Sequence, residues 1–344
     1  MALITNTTLG KIRDQIVERN ILLRNFVSLY ATSTWDVIQL DAKTMSLEDL
    51  AVKYPTGTVL NSTYTYNGVE YAMPWRVVAH RKVTKQDGYQ HNGVFIQSVY
   101  ATIETIQFDM REGEITADTT AEEGYYYCGL QGTTYSMLNL NAGATVPHTD
   151  YDTIFKGIIN DARAYESGYN RYKDGSIRQW LNSAGRVNEW WISQHYGDNP
   201  PTQLSKIKGF MAGLQSDLLN VVEPVLIKTV ANNVTDNRAV DETFDRFFIP
   251  SVEEIYGESQ VPGEEGLCWP YLQEASGSSR ASNGYAESRL IRTINNTEGD
   301  AVSVWLRSAS QNDFSAWYIH RSGVLGYSYT PNTGCNLQPV AVIS

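Results

Sequence analysis

At 344 residues, with 42% apolar and 19% charged side chains, the chain has the composition of a folded protein with one sizeable core and an accessory unit, and not that of a disordered segment. Its formal charge of −11, with no Lys/Arg-rich run, withholds the positive surface that phosphate backbones require, so no nucleic-acid partner is expected. The cysteines Cys128, Cys268 and Cys335 are too few and too scattered for a disulfide framework, and none belongs to a CxxC pair.

The opening segment MALITNTTLGKIRDQIVERN lacks the basic-then-apolar layout of a signal peptide, and no run of about 18 apolar residues occurs, so a protein made in the cytoplasm without membrane insertion is expected. Residues 7–30 read as a helix, because Leu9, Ile12, Ile16, Leu22, Leu23, Phe26 and Leu29 recur at three- and four-residue steps, with Thr7 or Thr8 as its cap. Such a stripe must be buried on its own domain, on copies of itself or on a docking partner. From Thr58 the pattern alternates around Asn67-Gly68, a strong hairpin signal. Residues 105–150 form a second β-rich stretch with Gly-rich turns, read as an insertion.

The middle of the chain turns helical. Asp174 or Ser176 can cap a helix whose Ile177, Trp180 and Leu181 share a face, and a second helix is expected from about Leu204 to Leu219. The segment VVEPVLIKTVANNVTDN reads as strand and turn. FFIPSVEEIYG reads as a strand entering a short helix capped by Ser251, with Val252, Ile255 and Tyr256 as its apolar face. Alternation returns from residue 300 to the end, and the class is α+β.

Four segments in this order, WRVVAH (75–80), GSIRQWLNS (175–183), FFIPSVEEIYG (247–257) and VWLRSAS (304–310), followed by a terminal LQPVAVIS, resemble gut-bacterial and phage domains of the C-type-lectin-like, formylglycine-generating-enzyme-like fold. The resemblance covers roughly residues 57–344. It implies a C-type-lectin-like domain over 57–104 and 151–344, a β-rich insertion over 105–150 and an N-terminal helical anchoring or oligomerisation segment over 1–56. In that family the WLRS strand often opens a segment varied by a diversity-generating retroelement, as in the major tropism determinant. Randomised asparagine codons cannot reach Lys, Glu, Gln, Met or Trp. Residues 312–330, NDFSAWYIHRSGVLGYSYT, contain none of the first four, and Trp317 falls where the family keeps a scaffold residue.

Strand periodicity puts Trp317 and Ile319 on one face and Tyr318 and His320 on the other, with Arg321-Ser322-Gly323 as the turn. Leu325, Tyr327 and Tyr329 share a face of the return strand, which joins that of Tyr318 and His320 in one hairpin register. The expected ligand-binding set is Asn312, Asp313, Phe314, Tyr318, His320, Arg321, Ser322, Leu325, Tyr327, Ser328 and Tyr329. Tyr brings contact area at small rotamer cost, Arg a planar fork, and Ser and Asn adaptable hydrogen bonds. The plainer alternative is ordinary exposed strand residues, since Tyr and Ser are common in sheets. Trp305 and Leu306 are assigned to the core, and Arg307 to a buried carboxylate near Glu253 or Glu254 or to backbone carbonyls.

No catalytic, metal or cofactor site is expected. GLCWP and TGCNL around Cys268 and Cys335 carry no supporting base, the five histidines are dispersed, and Glu223-Pro224-Val225 and Trp305-Leu306-Arg307 break the calcium-lectin triplets. The adjacent acids Glu253-Glu254 and Glu264-Glu265 read as solvated helix or loop charges. The resemblance therefore implies a non-enzymatic phage virion protein, a tail or head-fibre adhesin whose partners are a host cell-surface glycan or protein and, through its N-terminal segment, other virion proteins. A homotrimer is the expected assembly. The alternative is a structural virion component, such as a capsid decoration, collar or baseplate part.

Overall fold

The computed structural model describes residues 33–110, 170–194, 199–233, 236–257, 259–273, 301–310, 315–330 and 334–344, together with Gln15 and the strand backbones at 125–131, 134–139, 144–147 and 292–293. The expected helix over 7–30 lies outside these residues, apart from Gln15, which is helical. The chain is mixed helix and sheet.

From Ser33 onward two short helices come first, α1 (Thr34–Thr44) and α2 (Leu47–Lys53). Ser33 opens α1 with a capping box: its hydroxyl accepts from the Asp36 backbone N–H, and the Asp36 carboxylate accepts from the Ser33 N–H. Trp35, Ile38 and Leu50 are buried in the same core as the strands that follow. Residues 34–53, grouped by sequence with an N-terminal anchoring segment, are therefore part of the body. Asp41 ties the two helices together by accepting from Lys53 Nζ at 2.6 Å and Tyr54 Oη at 2.5 Å.

Strands β1 (Val59–Leu60), β2 (Thr63–Tyr66), β3 (Val69–Ala72), β4 (Trp75–Thr84) and β5 (Gln90–Ser98) follow. The β2–β3 hairpin turns on Asn67 and Gly68, both at positive φ (49° and 78°), the primed turn that an Asn-Gly pair favours. Strands β6 (Tyr125–Gln131), β7 (Thr134–Asn139) and β8 (Ala144–Pro147) form an antiparallel sheet of their own. Residues 105–110, expected to open the insertion, belong to the body: Ile106 and Phe108 are in the core, and Asp109 Oδ1 accepts from the backbone N–H (3.1 Å) and hydroxyl (2.9 Å) of Ser176.

Asp109 thereby serves the start of α3 (Ser176–Leu181), whose own N-cap, Gly175, has no side chain to offer. Ile177, Trp180 and Leu181 are buried, as their spacing predicts. The single helix expected over 204–219 does not form. A 3₁₀ turn at Phe210–Gly213 and α4 (Ser216–Val221) stand there, separated by extended backbone at Leu214 and Gln215. Glycine decides this: a Cβ on Gly209 would lie 2.3 Å from the Ser183 carbonyl oxygen, and one on Gly213 2.3 Å from the Tyr64 ring. These are contacts of backbone against neighbours, not of a helix face.

The ribbon β9 (Val225–Val230) and β10 (Val240–Asp245) leads into β11 (Phe247–Phe248) and α5 (Val252–Tyr256), then α6 (Pro270–Gln273). Ser251 and Glu254 close a capping box on α5, and Gly257 ends it in the left-handed conformation at φ 73°. Strands β12 (Arg292–Thr293) and β13 (Ala301–Val302) pair with each other, and β14 (Val304–Ala309), β15 (Ser315–Ile319) and β16 (Leu325–Tyr329) make a three-stranded sheet. The final strand, β17 (Val340–Ile343), lies between β5 and β11 in the five-stranded sheet β1-β4-β5-β17-β11. All four residues of β17 are buried within that sheet.

Candidate binding site

The β14–β15–β16 sheet carries the expected binding residues, and its register rearranges them. His320 and Val324 flank the turn, with the His320 N–H donating to the Val324 carbonyl at 2.8 Å and the Gly323 N–H to the His320 carbonyl at 2.7 Å. A turn of three residues pairs positions of the same parity, so Trp317 faces Tyr327, Ile319 faces Leu325, Ser315 faces Tyr329, and Tyr318 faces Gly326. Leu325 and Tyr327 therefore lie on the Trp317 side. The register in which they join Tyr318 and His320 is not adopted, and no single ledge unites Tyr318 with Tyr327.

The two faces have different surroundings. Tyr318 is half-buried and packs edge-on against Trp305 (6.1 Å between centroids), whose indole N–H donates to the Ile106 carbonyl. Its ring lies over Gly326, where a Cβ would stand 2.9 Å from Cζ. Gly326→Ala is expected to cost about 1–3 kcal/mol, because the ring is pinned by Trp305 and cannot yield freely. Urea denaturation of the two proteins checks this.

On the opposite face Tyr327 is 61% exposed and stands perpendicular to Trp317 at 5.6 Å. At the turn, His320 Nδ1 accepts from the Ser322 N–H at 3.2 Å, with the Ser322 hydroxyl 2.7 Å away, and the Tyr256 hydroxyl donates to the Gly323 carbonyl at 3.1 Å. Arg321 is exposed, Ser328 is half-buried opposite Ala316, and Leu325 packs against the core. Asn312, Asp313 and Phe314 lie outside the described residues, as does the side chain of Tyr329.

Beneath the Trp317 face is a cleft of about 230 Å³. Its apolar walls are Val230, Val252, Trp317 and Leu325; its polar groups include Gln260, Glu265 and Ser308. Of these, sequence reading named only Leu325 as a site residue; Val230, Val252, Gln260, Glu265 and Ser308 converge from β9, α5, the loop after α5 and β14. Glu265, expected to be solvated with its neighbour, is only 3% exposed. Its carboxylate accepts from the Val230 N–H at 3.0 Å and the Ser308 hydroxyl at 2.6 Å, while burial pushes its pKa up to about 7.

A family model described as a domain of unknown function, DUF6273, matches residues 152–343, more than half of the chain. The chain belongs to the DUF6273 family. No curated protein and no solved structure matches it. The cleft and the hairpin above it fall entirely within the DUF6273 match. The main sheet does not: β11 and β17 come from the matched region, whereas β1, β4 and β5 precede it.

Arg307 fastens several parts of the DUF6273 segment together. Its guanidinium donates to Glu254 Oε2 at 2.5 Å, to the Ile249 carbonyl at 2.9 Å and to the Glu265 carbonyl at 2.6 Å, which fulfils the expectation of a buried carboxylate partner near Glu253 or Glu254. Both of those acids are buried, contrary to their reading as solvated charges. Glu253 accepts from the backbone N–H groups of Gly263 (2.5 Å) and Glu265 (2.9 Å), so it holds the loop that delivers Glu265 to the cleft.

Cys268 and Cys335 are both buried, and burial pushes the Cys335 thiol up to about 12, which keeps it from acting as a thiolate near neutral pH. Among the described residues, no group of three or more His, Cys, Asp or Glu is placed to hold a metal ion, and no helix is long and apolar enough to cross a membrane.

Proposed function

We propose that this protein is a phage virion receptor-binding protein, a tail or head-fibre adhesin that recognises a host-surface glycan or protein through the β15–β16 hairpin. The body is read as a C-type-lectin-like domain, on the order and spacing of the WRVVAH, WLNS, FFIPSVEEIYG and WLRS segments. The observation that carries the reading is Tyr327, a large aromatic side chain held out to solvent on a sheet strand and packed against Trp317, which lines a cleft with buried polar groups. The recognition surface is accordingly the Tyr327 face with the Arg321 turn, and Tyr318 is a packing residue. A homotrimer displaying several such faces gains strength by repetition.

The packing of Tyr318 and Leu325 into the body favours a second reading, a structural virion component whose hairpin only fills space. Antibody labelling of intact particles, combined with competition by the purified chain, separates the two. An adhesin is labelled on the particle and the soluble chain blocks adsorption; a structural component is labelled but leaves adsorption untouched.

A further inference from the structure

The described hydroxyl hydrogens lining the cleft are committed, and so is one N–H of the Gln260 amide. The Ser308 hydroxyl donates to Glu265 and accepts from the Val252 N–H at 3.0 Å; the Ser259 hydroxyl donates to the Val261 carbonyl at 3.1 Å; the Gln260 amide N–H donates to the Ala309 carbonyl at 3.0 Å. Buried, unmet capacity lies on acceptors. Gln260 Oε1 is buried and has no partner, and each Glu265 oxygen uses one of its two lone pairs.

The surrounding charge has the same bias. Carboxylates from Glu242, Glu253, Glu254, Glu264 and Glu265 outnumber the cations Arg81, Arg307 and Lys228. Those cations are engaged: Arg307 with Glu254, Lys228 with Glu264 and Glu242, and Arg81 with the carbonyls of Leu267 and Cys268. Trp317 supplies an aromatic wall. A cleft with buried unmet acceptors, under net negative charge and beside an indole, is complementary to a compact cation rich in N–H donors rather than to an anion.

We propose that the cleft is a pocket for a primary ammonium group, with Gln260 Oε1 and Glu265 as its acceptors and Trp317 as its wall. This deepens the adhesin reading, on which it rests for the source of the ligand: a lysine side chain of a surface protein, or an amino sugar of a surface glycan. In either case the acetylated form lacks both the charge and two of the donors.

The test is calorimetric titration of the purified full chain with Nα-acetyl-lysine methylamide and with glucosamine, each beside its N-acetylated counterpart. Binding of at least one ammonium probe is expected, at least about tenfold tighter than its acetylated form, a difference of about 1.4 kcal/mol. The tighter of the two probes identifies the source as protein or glycan. Glu265→Gln keeps acceptor and shape but removes the charge, and is expected to weaken binding about tenfold. Gln260→Leu is expected to weaken it as well, and thermal melts verify that both variants fold. No heat with either ammonium probe, equal affinity for the acetylated forms, or unchanged affinity in a folded Glu265→Gln protein would overturn the proposal. If cells are bound while the amines are not, the pocket assignment fails and the adhesin reading stands; amine binding without cell binding is the converse.

Discussion

Arg307→Ala is expected to destabilise the protein by about 3–5 kcal/mol, a large share of the stability of an ordinary domain. The side chain is 2% exposed and serves four acceptors: Glu254, the Ile249 and Glu265 carbonyls, and the Lys228 carbonyl at 3.3 Å. It also lies over the Phe248 ring, 5.6 Å from its centroid. Truncation strands a buried carboxylate beside a cavity, and the lost bonds join β9, the segment before α5, α5, the 259–266 loop and β14 at one point. Arg307→Lys is expected to recover only part of the loss, because one ammonium cannot span the positions a planar fork reaches. The urea midpoint should fall without a change in slope. A loss under about 1 kcal/mol would show that the cluster is not the fastening described.

The second large effect is on pH. Glu104 and Glu265 both have their pKa raised from 4.5 to about 7, chiefly by burial. A carboxyl raised in the folded state keeps its proton where the unfolded chain has already lost it. Each group therefore favours folding most below about pH 4.5; that contribution declines as pH rises towards 7 and is flat beyond. At about 1.4 kcal/mol per unit, each is worth of order 3 kcal/mol between the two limits. Asp245, also raised by burial, acts in the same sense. His80 acts oppositely: burial lowers its pKa, so its contribution is present above about pH 6.5 and lost as pH falls. Comparing the native protein with the Glu104→Gln/Glu265→Gln pair cancels His80, and the variant should show the flatter stability profile from about pH 5 to pH 8. Parallel profiles would mean that neither carboxyl is shifted.

What sequence reading recovers here is local. The Ser251 cap, the Asn67-Gly68 turn and the burial of Trp305 and Leu306 each depend on a few adjacent residues, and all three are present in the fold. The hairpin faces were set by turn length. A three-residue turn matches odd positions with odd, and that one fact moves Tyr327 away from Tyr318. The fates of Glu264 and Glu265 diverge for a reason outside their neighbourhood: Glu253 grips the loop at Gly263 and Glu265 and turns one acid inward, leaving its neighbour half-exposed. The false helix over 204–219 has apolar spacing in its favour, yet Gly209 and Gly213 abut chain distant in sequence. A hint of the cleft was available in WLRS itself, since a serine following a buried arginine on a core strand has to satisfy its hydroxyl.

The most direct test of the proposed recognition face is the binding of the purified full chain to susceptible host cells, native against Tyr327→Ala. Tyr327 is exposed and touches little beyond Trp317, so its removal should leave the melting temperature nearly unchanged. Saturable binding by the native chain and a loss of about tenfold or more in the variant is the predicted result. Equal binding by the two folded proteins would contradict it and return the hairpin to an ordinary exposed strand.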